Sequence, residues 1–134
     1  MTLTAESLST EQRTYAPVER SRLSILCLTA FLIENKIAME IKTLLSVYLP
    51  FARLYYWRTS AGAEIDLLVE NNRQLIPIEV KWSENISYRD ILSMEVFLKD
   101  FKKSSPFGIV LYRGKELLKF KENIFLVPFE RFLG

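Results

Sequence analysis

A chain of 134 residues with 49% hydrophobic and 25% charged side chains has the make-up of one globular domain with a real core, not of two. Its net charge of +2 and pI of ≈ 8.7 neither demand nor exclude a nucleic-acid partner. With no histidine, Ser-His-Asp and Cys-His nucleophiles, histidine-bound zinc and imidazole proton shuttles are all ruled out; the lone Cys27 excludes an internal disulfide and fits a reducing, cytoplasmic setting.

Residues 1–22 are rich in Ser, Thr, Glu and Arg without a sustained apolar period, and read as a flexible leader or the remnant of a preceding domain. Residues 23–134 then form one α/β domain. From Leu23 to Tyr48 the pattern is helical, with Ile33, Ile37, Ile41, Leu44 and Tyr48 forming a stripe that Pro50 ends. Thr29 could cap a helix within this stretch, so it holds either two helices or one broken one. The run LSILCLTAFLI (23–33) is about half the roughly 20 residues needed to span a bilayer, so no membrane anchor is expected, and Cys27 within it reads as a core filler.

Beyond Pro50 the period becomes strand-like. RLYYWRT (53–59), AEIDLLVE (63–70) and IPIEVKWS (76–83) are three strands, separated by a Ser60-Ala61-Gly62 turn and a short NNRQ turn. Pro77 is expected at a bulge or an unpaired amide, away from mid-ladder. Residues 87–103 form a helix with Ser87 as N-cap and Asp90 favouring its positive start. FGIVLYR (107–113) is a strand, LLKFK (117–121) its hairpin partner, NIFLVP (123–128) a last strand and FERFL (129–133) a helical turn. The lysine clusters at Lys99, Lys102 and Lys103, and at Arg113, Lys115, Lys119 and Lys121, suit a solvated helix face and hairpin, or a phosphate-tracking patch.

Strict alternation turns Ile65, Leu67 and Val69 to one face of the second strand and Glu64, Asp66 and Leu68 to the other. On the third strand it sets Ile76, Ile78, Val80 and Trp82 against Glu79 and Lys81. The expected hairpin thus has an apolar face for a helix and a mixed face centred on Glu64, Asp66, Glu79 and Lys81. Such a face is commonly just solvated ion pairs. Glu34, one step round from the helix stripe, adds a third carboxylate that can reach Asp66 and Glu79. Oxygen ligands from separate rigid elements are what a hard cation such as Mg²⁺ or Mn²⁺ wants, and such an ion can be held against a phosphodiester.

FLIENKIAMEI (31–41), YYWRTSAGAEIDLLVE (55–70) and IPIEVKWS (76–83) resemble the PD-(D/E)XK, or restriction-endonuclease-like, nuclease superfamily. The nearer resemblance is to family 4143 of the domains of unknown function, found at the C-terminus of prokaryotic AAA-type ATPases. Its pattern is an EN helix, a YYWR strand, a G-x-E-(I/V)-D strand, an (I/V)-E-(V/I)-K strand and a V-P-(F/L/W) segment, here Val127-Pro128-Phe129. The resemblance covers roughly residues 30 to 134 and implies an αβββαβ core, a central mixed sheet flanked by helices with small extra strands at the C-terminus. It implies a metal-dependent nuclease with Asp66 and Glu79 as principal ligands, Glu34 as a further ligand or water anchor, and Lys81 positioning the attacking water. Arg58 and Glu64 would support them: Arg58 touching phosphate, Glu64 as a second ligand or as an anchor for Lys81.

The implied partners are nucleic acid, DNA foremost, and an AAA-type ATPase domain or subunit; related folds often form a homodimer. The alternative is a non-catalytic DNA- or subunit-docking module that keeps the nuclease fold. No G-x-x-x-x-G-K-[ST] motif occurs, so the chain does not bind ATP by that device. The expected origin is a stand-alone version, an excised domain or a fragment, with the polar leader favouring a fragment. Tyr55, Tyr56 and Trp57 are read as core residues, or as platforms for bases. The Phe-rich tail (Phe120, Phe125, Phe129, Phe132) could face a partner.

Overall fold

The computed structural model describes residues 25–133; the leader expected over residues 1–22 and the side chain of Cys27 lie outside the described residues. Helix α1 (Ile25–Tyr48) is followed by strands β1 (Arg53–Arg58), β2 (Glu64–Asn71) and β3 (Gln74–Lys81). A 3₁₀ turn (Tyr88–Ile91) leads into helix α2 (Leu92–Asp100), and β4 (Gly108–Tyr112), β5 (Leu118–Lys121), β6 (Ile124–Pro128) and helix α3 (Phe129–Leu133) complete the chain. The fold is α/β: a six-stranded mixed sheet, in the order β1-β2-β3-β4-β6-β5, between helical layers. No described helix is long and apolar enough to cross a membrane.

Each helix lays one apolar stripe on the sheet. Ile37 and Ile41 of α1 are buried against Val69, Ile78, Val80 and Leu111, with Phe129 of α3 closing the same layer. Met94, Phe97 and Leu98 of α2 are buried on the other face, against Ile65, Leu68, Leu75 and Val110. Trp57 belongs to this second core, edge-on to Phe97 with ring centroids 5.0 Å apart, so it is no platform for bases. Ser87 does open the second helical segment, its backbone N–H donating to Asp90 Oδ2 at 2.8 Å.

Four expectations are corrected. Within the described residues α1 is one continuous helix, not two or a broken one. Its stripe ends at Leu45, which packs on the core, while Leu44 and Tyr48 stay exposed where the helix overruns the sheet. β5 pairs with β6, not β4, because β6 inserts between them in parallel with β4. Pro77 sits inside the ladder opposite Leu68, not away from it, although its nitrogen takes a position without a ladder partner, as expected. It is tolerated there because amides of its parity point away from β2: the neighbouring Leu75 N–H already donates to Ser104 O on that side, and pairing with β4 starts only at Ile78.

Candidate functional site

The β2–β3 hairpin is closed at one end and open at the other. At the closed end a two-residue turn places Asn72 and Arg73 at positive φ (49° and 65°), and pairing runs from Asn71–Gln74 to Leu67–Ile78. There the ladder stops. Beyond it β2 pairs only with β1, and β3 only with β4. Asp66, Glu79 and Lys81 all lie just past the last pair.

A bulge aims Asp66. Between Tyr55–Leu68 and Trp57–Ile65, β1 advances two residues while β2 advances three. The extra residue breaks the alternation expected of β2: Ile65 and Leu68 both face α2, whereas Leu67 and Val69 face α1. Asp66 thereby lines a cleft of about 450 Å³ under α1 together with Phe31, Glu34, Asn35, Ala38, Tyr56, Leu67 and Val80. Its Oδ2 accepts the Val80 N–H at 2.8 Å, replacing the backbone carbonyl that a continued ladder would have supplied. Glu34 and Asp66 therefore meet, as expected.

Glu79 and Lys81 reach this region from the far side. By alternation they share the α2 face of β3 with Leu75, opposite the Ile76, Ile78 and Val80 face on which α1 packs. The four polar groups do not share one sheet face, contrary to expectation; the gap in the ladder is what lets them interact. Glu79 is 2% exposed. Its Oε2 lies 3.7 Å from Lys81 Nζ, and has no hydrogen-bond partner.

The electrostatics follow from this burial. Desolvation raises the Glu79 pKa to about 8, with Lys81 opposing and Asp66 and Glu64 adding repulsion. Glu34 is raised to about 7 by desolvation and then by Asp66, against the pull of Lys81. Asp66 is raised by desolvation, opposed by the Val80 N–H and Lys81. Repulsion thus links Asp66 to Glu34 on one side and to Glu79 on the other.

Arg58 and Glu64 form the rim. Arg58 Nε stands 3.7 Å from Glu64 Oε2, and Tyr56 O–H donates to the same oxygen at 3.0 Å. Glu64 is therefore held by β1, and not by Lys81. Desolvation and the Glu64 carboxylate push the Tyr56 phenol up to about 12, so it stays a donor. On the sequence alone Tyr56 is a core residue or a platform for a base, not a neighbour of Glu64, and the α1 residues Phe31 and Asn35 have no role in the site. The signals existed: Tyr56 is two residues from Arg58 on a strand, and Phe31, Glu34, Asn35 and Ala38 fall at helical three- and four-residue steps.

Among the described residues no group of three or more Asp, Glu, His or Cys side chains is arranged to hold a metal ion. The donor set still fits a hard cation: magnesium is commonly held by one or two carboxylates, with waters and substrate phosphate completing the shell. Asp66 with either neighbour would be that pair.

A family model described as Domain of unknown function (DUF4143) matches residues 30–132, the stretch that holds every residue of this site. Searches of curated proteins and of solved structures give no match.

Proposed function

The chain belongs to the DUF4143 family of domains of unknown function, and on that footing we propose that it is a divalent-metal-dependent nucleic-acid phosphodiesterase of PD-(D/E)XK type. The observation that carries this is Asp66, desolvated at the open end of the β2–β3 ladder between two further carboxylates whose proton affinities are raised. Like-charged, dehydrated carboxylates are costly to keep ionised without a cation. Asp66 with Glu34 or Glu79 would hold Mg²⁺ or Mn²⁺, which when bound polarises a phosphoryl oxygen and acidifies water. Lys81 supplies the nearby positive charge for a phosphate and its developing negative charge. Arg58, at the rim, offers a guanidinium to the phosphate backbone. DNA is the first substrate to try, and the family's association with AAA-type ATPases makes such a domain or subunit the natural partner.

The test has two arms. Mg²⁺ or Mn²⁺ at millimolar concentration should raise the melting temperature of the wild type and not of Asp66→Ala, since only the folded state offers the site. Labelled single-stranded, duplex and branched DNA should be cut by the wild type and not by Lys81→Ala. Absence of both effects sinks the proposal.

One observation favours a second reading. Among the described residues no three-carboxylate group is preassembled, and Glu79 holds an unpartnered buried oxygen. A non-catalytic docking module that keeps the nuclease fold would show this too. DNA binding without cleavage, unchanged in Lys81→Ala, would select it.

A further inference from the structure

A second cleft lies at the opposite end of β1, remote from Asp66. It has a volume of about 570 Å³ and is bounded by the last turns of α1 and the start of β1, with Lys42, Leu45, Leu49, Arg53, Leu54 and Tyr55 in its wall. The end of α1 and the connection beside it are apolar and bare: Val47 is 67%, Tyr48 75% and Phe51 91% exposed. Turns are ordinarily polar, and contiguous exposed apolar residues beside a concavity mark an interaction surface. Nothing in the proposed phosphodiesterase chemistry uses it.

Two further observations specify the occupant. The charged residues of the wall, Lys42 and Arg53, are both cations, and among the described residues neither forms an ion pair. The neighbouring Tyr55 favours the charged form of the Arg53 guanidinium. Its register partner Glu70 adds a lesser attraction but forms no ion pair with it among the described residues. In addition, β1 is an edge strand, paired on one side only. Edge strands accept extended chains, with main-chain bonds giving affinity and alternate side chains giving specificity.

We propose that this cleft docks an extended peptide segment of another protein, one that carries apolar anchors beside Asp or Glu and adds alongside β1. A second copy of this chain fits poorly, because an isologous contact would set Lys42 and Arg53 against their own counterparts. A membrane surface fits poorly as well: polybasic lipid recognition uses clusters of four to eight cations, and here two face a concavity.

A displayed library of random 12-residue peptides, selected on the whole chain, tests this. Enriched peptides should combine Leu or Phe with Asp or Glu. In fluorescence anisotropy the best of them should bind Phe51→Ser, and the Lys42→Glu/Arg53→Gln double variant, about tenfold or more weakly than wild type. Melting temperatures should stay within a degree or so, as these side chains are exposed. Failure to enrich, enrichment of basic or neutral sequences, or affinity indifferent to both variants overturns the proposal. So does binding to phosphatidylserine vesicles, or concentration-dependent dimerisation in sedimentation, that either variant abolishes. None of these readouts depends on cleavage, so this surface and the phosphodiesterase reading stand or fall separately.

Discussion

The two halves of the β2–β3 hairpin are built from adjacent residues of the same strands and do opposite things. From Leu67–Ile78 to the turn, each residue has a ladder partner, and Leu68, Val69, Leu75 and Ile78 are buried in two apolar cores. Past that pair the strands part, and Asp66, Glu79 and Lys81 occupy the opening. The closed half gains from burial. The open half gives that gain up, keeping dehydrated carboxylates that an apolar sheet would not tolerate. A packed core and a cluster of desolvated charge are separated by a single ladder step.

The largest effect expected from breaking this contrast lies in the closed half. Leu68 is 0% exposed, and Leu68→Ala should cost about 2–5 kcal/mol in urea denaturation, by lost burial and a residual cavity. Metal addition should not repair it. Asp66→Ala, two residues away, should cost less. It strands the Val80 N–H, worth about 1–3 kcal/mol, but also removes a dehydrated charge that repels its neighbours. A cost for Asp66→Ala equal to that of Leu68→Ala would mean that the open half is a structural element like the closed one.

This contrast was only partly legible in the sequence. The strands were, because their apolar alternation and the Gly62 and Asn72-Arg73 turns are local signals. So were Glu34, Asp66, Glu79 and Lys81 as charged residues set among apolar runs, because such residues are conspicuous. The facing was not. Alternation assumes an unbroken pleat, and the bulge between Ile65 and Leu68 exists only in relation to β1. The position of β6 between β4 and β5 was likewise hidden, since the 117–121 run looks like a hairpin partner for either neighbour. Non-local pairing decides both, and no local period records it.

The next effect is a pH dependence confined to the open half. The Glu79 carboxyl has a pKa of about 8 in the fold against an ordinary 4.5. Between these values the folded state keeps its proton while the unfolded state loses it, so stability falls as pH rises. The contribution is full below about pH 4.5 and lost by about pH 8. Glu79→Gln mimics the protonated form throughout, and its melting temperature relative to wild type should climb across that window. Glu34→Gln should show the same sign over a narrower span, since Glu34 reaches only about 7. Parallel wild-type and Glu79→Gln melting curves from pH 5 to 9 would show that the buried oxygen is not held protonated.

The smallest change in stability is expected at the rim, and there the contrast sharpens most. Tyr56→Phe removes one hydrogen bond to Glu64 but keeps the ring in the cleft wall; Arg58→Ala removes the 3.7 Å ion pair. Arg58 and Glu64 have side chains 40% and 48% exposed, so losing their pairing should cost less than about 1 kcal/mol. Glu64 nevertheless adds to the repulsion felt by Glu34, Asp66 and Glu79 alike. Freed from Tyr56, it can swing toward solvent, and the pH at which melting declines in the wild type should then move down. A shifted midpoint at nearly constant stability would mark Glu64 as an electrostatic member of the open half. An unmoved midpoint would leave Tyr56, Arg58 and Glu64 as a surface cluster that merely borders it.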